Sequence, residues 1–220
     1  MSMSSPSSTG STIHALPAHS AGTAVLADAI FGVRSTLKDI ALVIGGAAFV
    51  GLLAQVSIPM WPVSITGQTL GVMVAGAVLG SRRAVFAMLT YAVGGLLGIP
   101  WFADMGGGLA YALKPSFGFI IGFIAAAWVV GWLSERRWDR RPLAALGAFA
   151  VASLIPFIVG IPWMWVTLHA FFGQTLGFWA TLNAGLIPFI PGGIIKWILS
   201  AAIVGGTWKL IGRPAGPQEN

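Results

Sequence analysis

The sequence has no cysteine and very little charge. Only 8% of its 220 residues are Asp, Glu, Lys or Arg, against roughly a quarter in soluble domains. The lack of cysteine excludes disulfides, thiolate metal sites and cysteine nucleophiles. Six acidic residues, widely scattered, leave no paired carboxylates for acid–base chemistry. Histidine is equally sparse: His14 and His19 lie in a polar N-terminal stretch and His169 stands alone, so no metal site is expected. There is no P-loop, no His-Glu-x-x-His and no Gly-x-Ser-x-Gly elbow. The chain is expected to need no cofactor, and if it transports, the energy must come from a partner or a gradient.

What the sequence has in abundance is apolar surface. Hydrophobic residues make up 56% of it, in long blocks, and the mean hydropathy is +0.86. Too little polar surface remains to cover a soluble globule. Lipid forces the backbone to satisfy its own hydrogen bonds, so such blocks are helices. A membrane barrel would need apolar residues at every second position, and that alternation is lacking. The predicted fold is therefore all-α and polytopic, with six spans at about Asp39–Ile58, Thr66–Gly80, Ala84–Ile99, Ser116–Leu133, Leu143–Leu168 and Pro191–Ile211. Ser81-Arg82-Arg83 is expected to turn between the second and third. The fifth block contains Pro156 and Pro162, each of which removes a helix hydrogen bond. The connector from His169 to Ile187 reads as re-entrant or interfacial; counting it as a crossing would make seven spans.

Residues 1–20 are rich in Ser, Pro and Thr and resemble no secretory signal. The expected organisation is a tail over 1–36, with a possible interfacial helix within 21–34, then a membrane domain over 37–212 and a short tail over 213–220. With six spans and both termini cytoplasmic, Arg34, Lys38, Arg82, Arg83, Arg136, Arg137, Arg140, Arg141, Lys209 and Arg213 all fall inside. Only Lys114 and Lys196 fall outside. Ten of the 12 basic residues on one side matches the positive-inside rule. The net charge of +6 therefore reports orientation in a lipid bilayer and gives no support to a nucleic-acid partner.

Small residues recur four apart at Ala47/Gly51, Gly76/Gly80, Gly94/Gly98 and Gly118/Gly122. Such pairs let helix backbones approach closely. Internal packing is the plainer use; docking of another membrane subunit on Ala47 and Gly51 is the sharper one.

Polar groups gather on the expected outer half. Lys196 lies five residues beyond Pro191, about 7.5 Å into the last span at ~1.5 Å per residue. An unpaired lysine there costs on the order of 3 kcal/mol. Either it snorkels to the headgroups or it lines a cavity and pairs with an anionic ligand. Gln68 and Thr69 open the second span, as simple helix-entry residues or as groups for an amide-like ligand. Trp101, Phe102 and Tyr111 bracket Gly106-Gly107-Gly108 together with Asp104, as an interfacial aromatic belt or as a ligand-approaching, mobile loop. Asn183 reads as a turn residue or a contact.

These segments resemble the biotin S-component family (BioY), the substrate-capturing subunits of energy-coupling factor transporters. The resemblance rests on Pro62-Val-Ser-Ile-Thr-Gly-Gln-Thr-Leu-Gly-Val72, Gly80-Ser-Arg-Arg83, Tyr91 through Gly98-Ile-Pro100-Trp-Phe102, Lys114-Pro-Ser-Phe-Gly118 and Pro188-Phe-Ile-Pro-Gly-Gly-Ile-Ile-Lys196. It implies six helices, an outward-side biotin pocket, and as partners a membrane scaffold protein with two ATPases, although some members are thought to work alone. On this resemblance Lys196 serves the ligand, and Gln68, Tyr91, Phe102 and the glycine segment line or lid the pocket. Thr69, Trp101, Asp104, Gly107, Asn183 and Gly193 complete the candidate set. One departure stands out: the family pattern reads Pro-Gly-Asp before the lysine-bearing helix, and Gly193 holds the aspartate's place. The alternatives are a carrier of the same fold for another small vitamin or a biotin precursor, an intramembrane lipid-modifying enzyme, and a structural scaffold.

Overall fold

A computed structural model describes residues 25–32 and 35–211. Most of the expected N-terminal tail, with His14, His19 and Arg34, lies outside these residues, as do Arg213 and the tail over 213–220. Helix α1 spans Leu26–Phe31, α2 Thr36–Ala54, α3 Gln68–Leu79, α4 Ser81–Leu96, α5 Phe117–Glu135, α6 Pro142–Phe172, α7 Phe178–Gly185 and α8 Phe189–Leu210. Between α2 and α3, strands β1 (Ser57–Ile58) and β2 (Ile65–Thr66) pair antiparallel. Four apolar runs are long enough to cross a bilayer: α2, α5, α6 from Leu143, and Phe178–Leu210, which joins α7 and α8. The molecule is an all-α, membrane-spanning bundle.

Several expected boundaries shift for local reasons. The first span ends at Ala54 rather than Ile58, because Gln55–Thr66 turns into the strand hairpin, with a cis Trp61–Pro62 bond. Arg82 and Arg83 sit in the first turn of α4 instead of a loop, since Gly80 alone makes the turn with φ of +81°. That left-handed angle suits glycine. Helix α6 runs unbroken for 31 residues through both prolines and on to Phe172, so the connector shortens. What remains holds the eight-residue α7. A short helix within 21–34 appears as α1, with Leu26 and Ala27 fully buried and Ala29, Ile30 and Phe31 exposed. One face of it packs against the bundle and the other is exposed.

Helices α5 and α6 pack closely because glycine makes room on both. Gly118 lies against Trp163, Gly122 against the Pro156 backbone, and Gly160 against the Phe119 ring. A methyl group at any of these would collide with its neighbour.

The end of the bundle where α4 begins is held by paired charges. Arg83 is buried, with Nη1 2.7 Å from Asp28 of α1 and Nη2 2.6 Å from Asp39 of α2. Glu135, at the end of α5, accepts hydrogen bonds from the Ser81 backbone N–H (2.7 Å) and hydroxyl (2.8 Å), capping α4. In the α5–α6 turn, buried Asp139 accepts from Trp208 Nε1 of α8 at 2.6 Å, and the Arg140 guanidinium lies 4.2 Å over the same indole. Burial pushes the Asp139 carboxyl above its ordinary pKa, a rise that the Trp208 hydrogen bond opposes.

Candidate ligand-binding site

The opposite end is built around Gln68, the first residue of α3. The hairpin folds back until Gly67 touches the Leu53 carbonyl, which places Gln68 in the interior, 7% exposed. Its Oε1 accepts from the Thr66 hydroxyl at 2.7 Å, and its Nε2 donates to the Tyr91 hydroxyl at 2.6 Å. The Tyr91 hydroxyl in turn donates to the Trp101 carbonyl at 3.2 Å, and Trp101 Nε1 returns a bond to the Tyr91 carbonyl at 2.8 Å. A buried polar chain of this kind fixes its members only if each is satisfied. Phe102 is fully buried beneath it, its ring edge-on to Tyr91 at 5.2 Å and 4.6 Å from Tyr111.

Gln55, just past the end of α2, grips the loop above. Its Nε2 donates to the carbonyls of Gly51, Trp101 and Phe102, and its Oε1 accepts from the Met105 N–H at 3.0 Å. Asp104 and Met105 are both held left-handed, at φ of 58° and 54°. That conformation strains non-glycine residues, and it occurs here where the loop is held by several bonds. The Asp104 carboxylate accepts from the Ser57 hydroxyl at 2.7 Å and the Ser64 hydroxyl at 3.4 Å.

Below this loop lies a cavity of about 260 Å³. Its polar lining comprises Ser64, Thr66, Gln68 and Thr69 together with Asp104, Tyr111, Lys114 and Ser116. The apolar wall is aromatic: Trp61, Phe119, Phe123, Phe157, Phe172 and Phe189, with Phe119 and Phe189 stacked at 6.2 Å. Lys196 of α8 closes the ring. Its neighbours among the described residues offer it no hydrogen bond or ion pair, whereas Lys114 lies 4.7 Å over the Tyr111 ring. An aromatic cavity that also carries an amide, several hydroxyls and an ammonium unengaged among the described residues suits a flat polar ring bearing an anionic arm.

The structure thus gathers Gln68, Thr69, Asp104 and Lys196 around one cavity. It places Tyr91, Phe102 and Trp101 behind the wall, as supports. Gly107 does not line the cavity: it lies against the carbonyls of Ile99 and Gly95, so the close approach it permits is to the chain's own backbone. The glycine segment is hydrogen-bonded to α4 through the Gly108 N–H, on the Gly95 carbonyl at 2.7 Å. Asn183 is exposed on α7, away from the cavity lining. Gly193 faces Trp197, with the nearest atom to a hypothetical Cβ at 3.7 Å, so a side chain fits there. Ala47 is fully buried and Gly51 lies against Trp101, so both serve internal packing. Gln55, Ser57 and the phenylalanines of the wall escaped the sequence reading; Phe119 and Phe123, four apart on α5, were the available signal.

Fold and cavity together define an α-helical membrane protein with an internal pocket for a small polar solute. The chain belongs to the BioY family, whose profile matches residues 22–213. The biotin transporter BioY of Rhizobium etli is 37% identical over 76% of this chain and 88% of its own. A probable biotin transporter BioY of Pyrococcus horikoshii is 34% identical over 72% of this chain and 89% of its own. Among solved structures, the S-component for biotin from an ECF-type ABC transporter superposes with a TM-score of 0.69 at 25% identity. That match covers 80% of this chain and 95% of the other.

Proposed function

We propose that this chain is the substrate-binding component of a biotin uptake transporter in the bacterial inner membrane, acting with an energy-coupling membrane scaffold and two ATPase subunits. It binds and hands over its ligand without chemical conversion. The observation that carries this reading is Lys196, a cation unpaired among the described residues, on the wall of an aromatic cavity in a chain of this family. A ligand carboxylate on Lys196 supplies the missing partner. The ureido ring then falls toward Gln68, Thr66 and Thr69, with the aromatic wall against its apolar face. Asp104, already accepting from two serines, retains lone pairs for a ureido N–H and takes over from the aspartate absent at Gly193. Tyr91, Trp101 and Phe102 act as positioning residues.

The topology we favour has six crossings, α2 to α6 and α8, with both termini cytoplasmic. The ligand-binding unit is then 37–212, flanked by tails over 1–36 and 213–220. Supporting it, α3 and α4 form a tight hairpin against α5, and the basic residues cluster at the end away from the cavity. Subunit docking moves from Ala47 and Gly51 to the accessible face of α2. There Ala41 and Gly45 border an apolar groove of about 290 Å³, and nothing lies within 4 Å of a Cβ placed on Gly45.

Calorimetric titration of the purified protein with biotin tests the assignment; no heat at millimolar ligand removes it. Gly193 keeps a second ligand in view, a biotin precursor with fewer hydrogen-bonding demands, and tighter binding of that precursor than of biotin would select it. Gly193→Asp is expected to tighten biotin binding by about threefold. No change would mean Asp104 already fills the role.

A further inference from the structure

A second recess lies at the paired-charge end, facing the lipid between α2 and α4, with a volume of about 630 Å³. Two parallel stripes line it: Thr36, Asp39, Ile40 and Ile44 on α2, and Arg82, Phe86 and Thr90 on α4. Each stripe is polar in its first turn and mainly apolar beyond. Ile40, Ile44 and Phe86 are about half exposed, so the apolar part has no cover from this chain. The stripe from Thr36 to Ile44 extends about 12 Å at ~1.5 Å per residue, close to one leaflet of a hydrocarbon core of ~30 Å.

The charges at the mouth are asymmetric. Arg82 is exposed and makes no ion pair or hydrogen bond with a described residue, unlike Arg83 beside it. Asp39 and Glu135 also line the recess. Each engages its bonds through one carboxylate oxygen, Oδ1 of Asp39 with Arg83 and Oε1 of Glu135 with Ser81, leaving the second for another donor. The mouth therefore offers one free cation beside two carboxylate oxygens. We propose that it is a specific site for one amine-headed phospholipid, of the phosphatidylethanolamine type. The phosphate pairs with Arg82, the ammonium donates to Asp39 and Glu135, and an acyl chain lies along Ile40, Ile44 and Phe86.

Charge decides among occupants. A phosphatidylglycerol headgroup brings only negative charge toward the two carboxylates, and a choline headgroup has no N–H to donate. Val25 lines the recess, and the segment 1–24 that precedes it in sequence contains no acidic residue to meet Arg82. The site is independent of what the other cavity binds.

The test is native mass spectrometry of the full-length protein released from bilayers holding equal mole fractions of phosphatidylethanolamine, phosphatidylglycerol and phosphatidylcholine. One phosphatidylethanolamine should be retained about fivefold over either competitor. Arg82→Gln, which alters an exposed side chain, and Ile44→Trp, which fills the apolar channel, should each reduce its retention to the phosphatidylcholine level. Equal retention of the three lipids, preference for phosphatidylglycerol, or a preference surviving both substitutions would overturn the site. So would a photoreactive group at Ile40 that captures residues 1–24 in place of lipid.

Discussion

At one end of the bundle Arg83 lies between Asp28 and Asp39, Glu135 caps a helix, and Asp139 holds an indole. At the other end Lys196 faces a cavity with no ion pair among the described residues, and Asp104 accepts from the hydroxyls of Ser57 and Ser64. The same kinds of charged group thus do different work. Charges matched within the chain hold helices together, and a buried charge left unmatched is available to something from outside. Stability and binding should therefore separate when each end is altered.

The largest effect should follow Arg83→Ala, which strands two carboxylates. A loss of about 3 kcal/mol is expected in thermal or denaturant unfolding, with ligand affinity changed by no more than about twofold. Lys196→Met should do the reverse. Calorimetry should show binding weakened about thirtyfold, roughly 2 kcal/mol, while the unfolding midpoint holds or rises because an unpaired charge is gone. Lys114→Ala, at an exposed lysine, should change affinity by only about threefold. Equal losses for the two lysines would erase the distinction between the ends.

Gln68→Leu should blur the comparison in a defined way. It takes one partner from the buried Tyr91 hydroxyl and one polar group from the cavity, so stability and affinity should each fall by about 1–2 kcal/mol. Asp139→Asn should have the smallest effect, seen in its pH dependence. Burial raises the folded carboxyl's pKa above its unfolded value. Its contribution is therefore full below the unfolded pKa and lost as pH rises through the folded one. Unfolding across a pH series should show that decline in the parent chain and a flatter profile in the variant.

Some of this was legible in the sequence for simple reasons. Lys196 stood out because its flanks, Ile194, Ile195, Trp197 and Ile198, offer it nothing, and Gln68 because an amide opened an apolar span. The direction of position 193 follows from helix phase. At 3.6 residues per turn, Phe189 and Lys196 point within about 20° of each other, while residue 193 falls about 60° aside, toward Trp197. The Asp104 cluster was hidden because its serines lie about forty residues or more away in sequence. Gln55 read as a helix boundary; its bonds to the 101–105 loop depend on a fold that no local pattern specifies.

The reach of α6 bears on how a solute arrives. Gly118, at the start of α5, meets α6 at Trp163, and α6 continues from Met164 to Phe172 beyond that level. Those nine residues rise about 13 Å, past the neighbouring helix and toward the headgroups. Phe172, at their tip, meets Trp61 of the hairpin edge-on at 5.7 Å. The cavity mouth is therefore bounded by the end of α6 on one side and the hairpin on the other, and the two meet at Phe172 and Trp61. On the proposed reading, an entering acid passes between these two walls toward Lys196, which has no ion pair among the described residues.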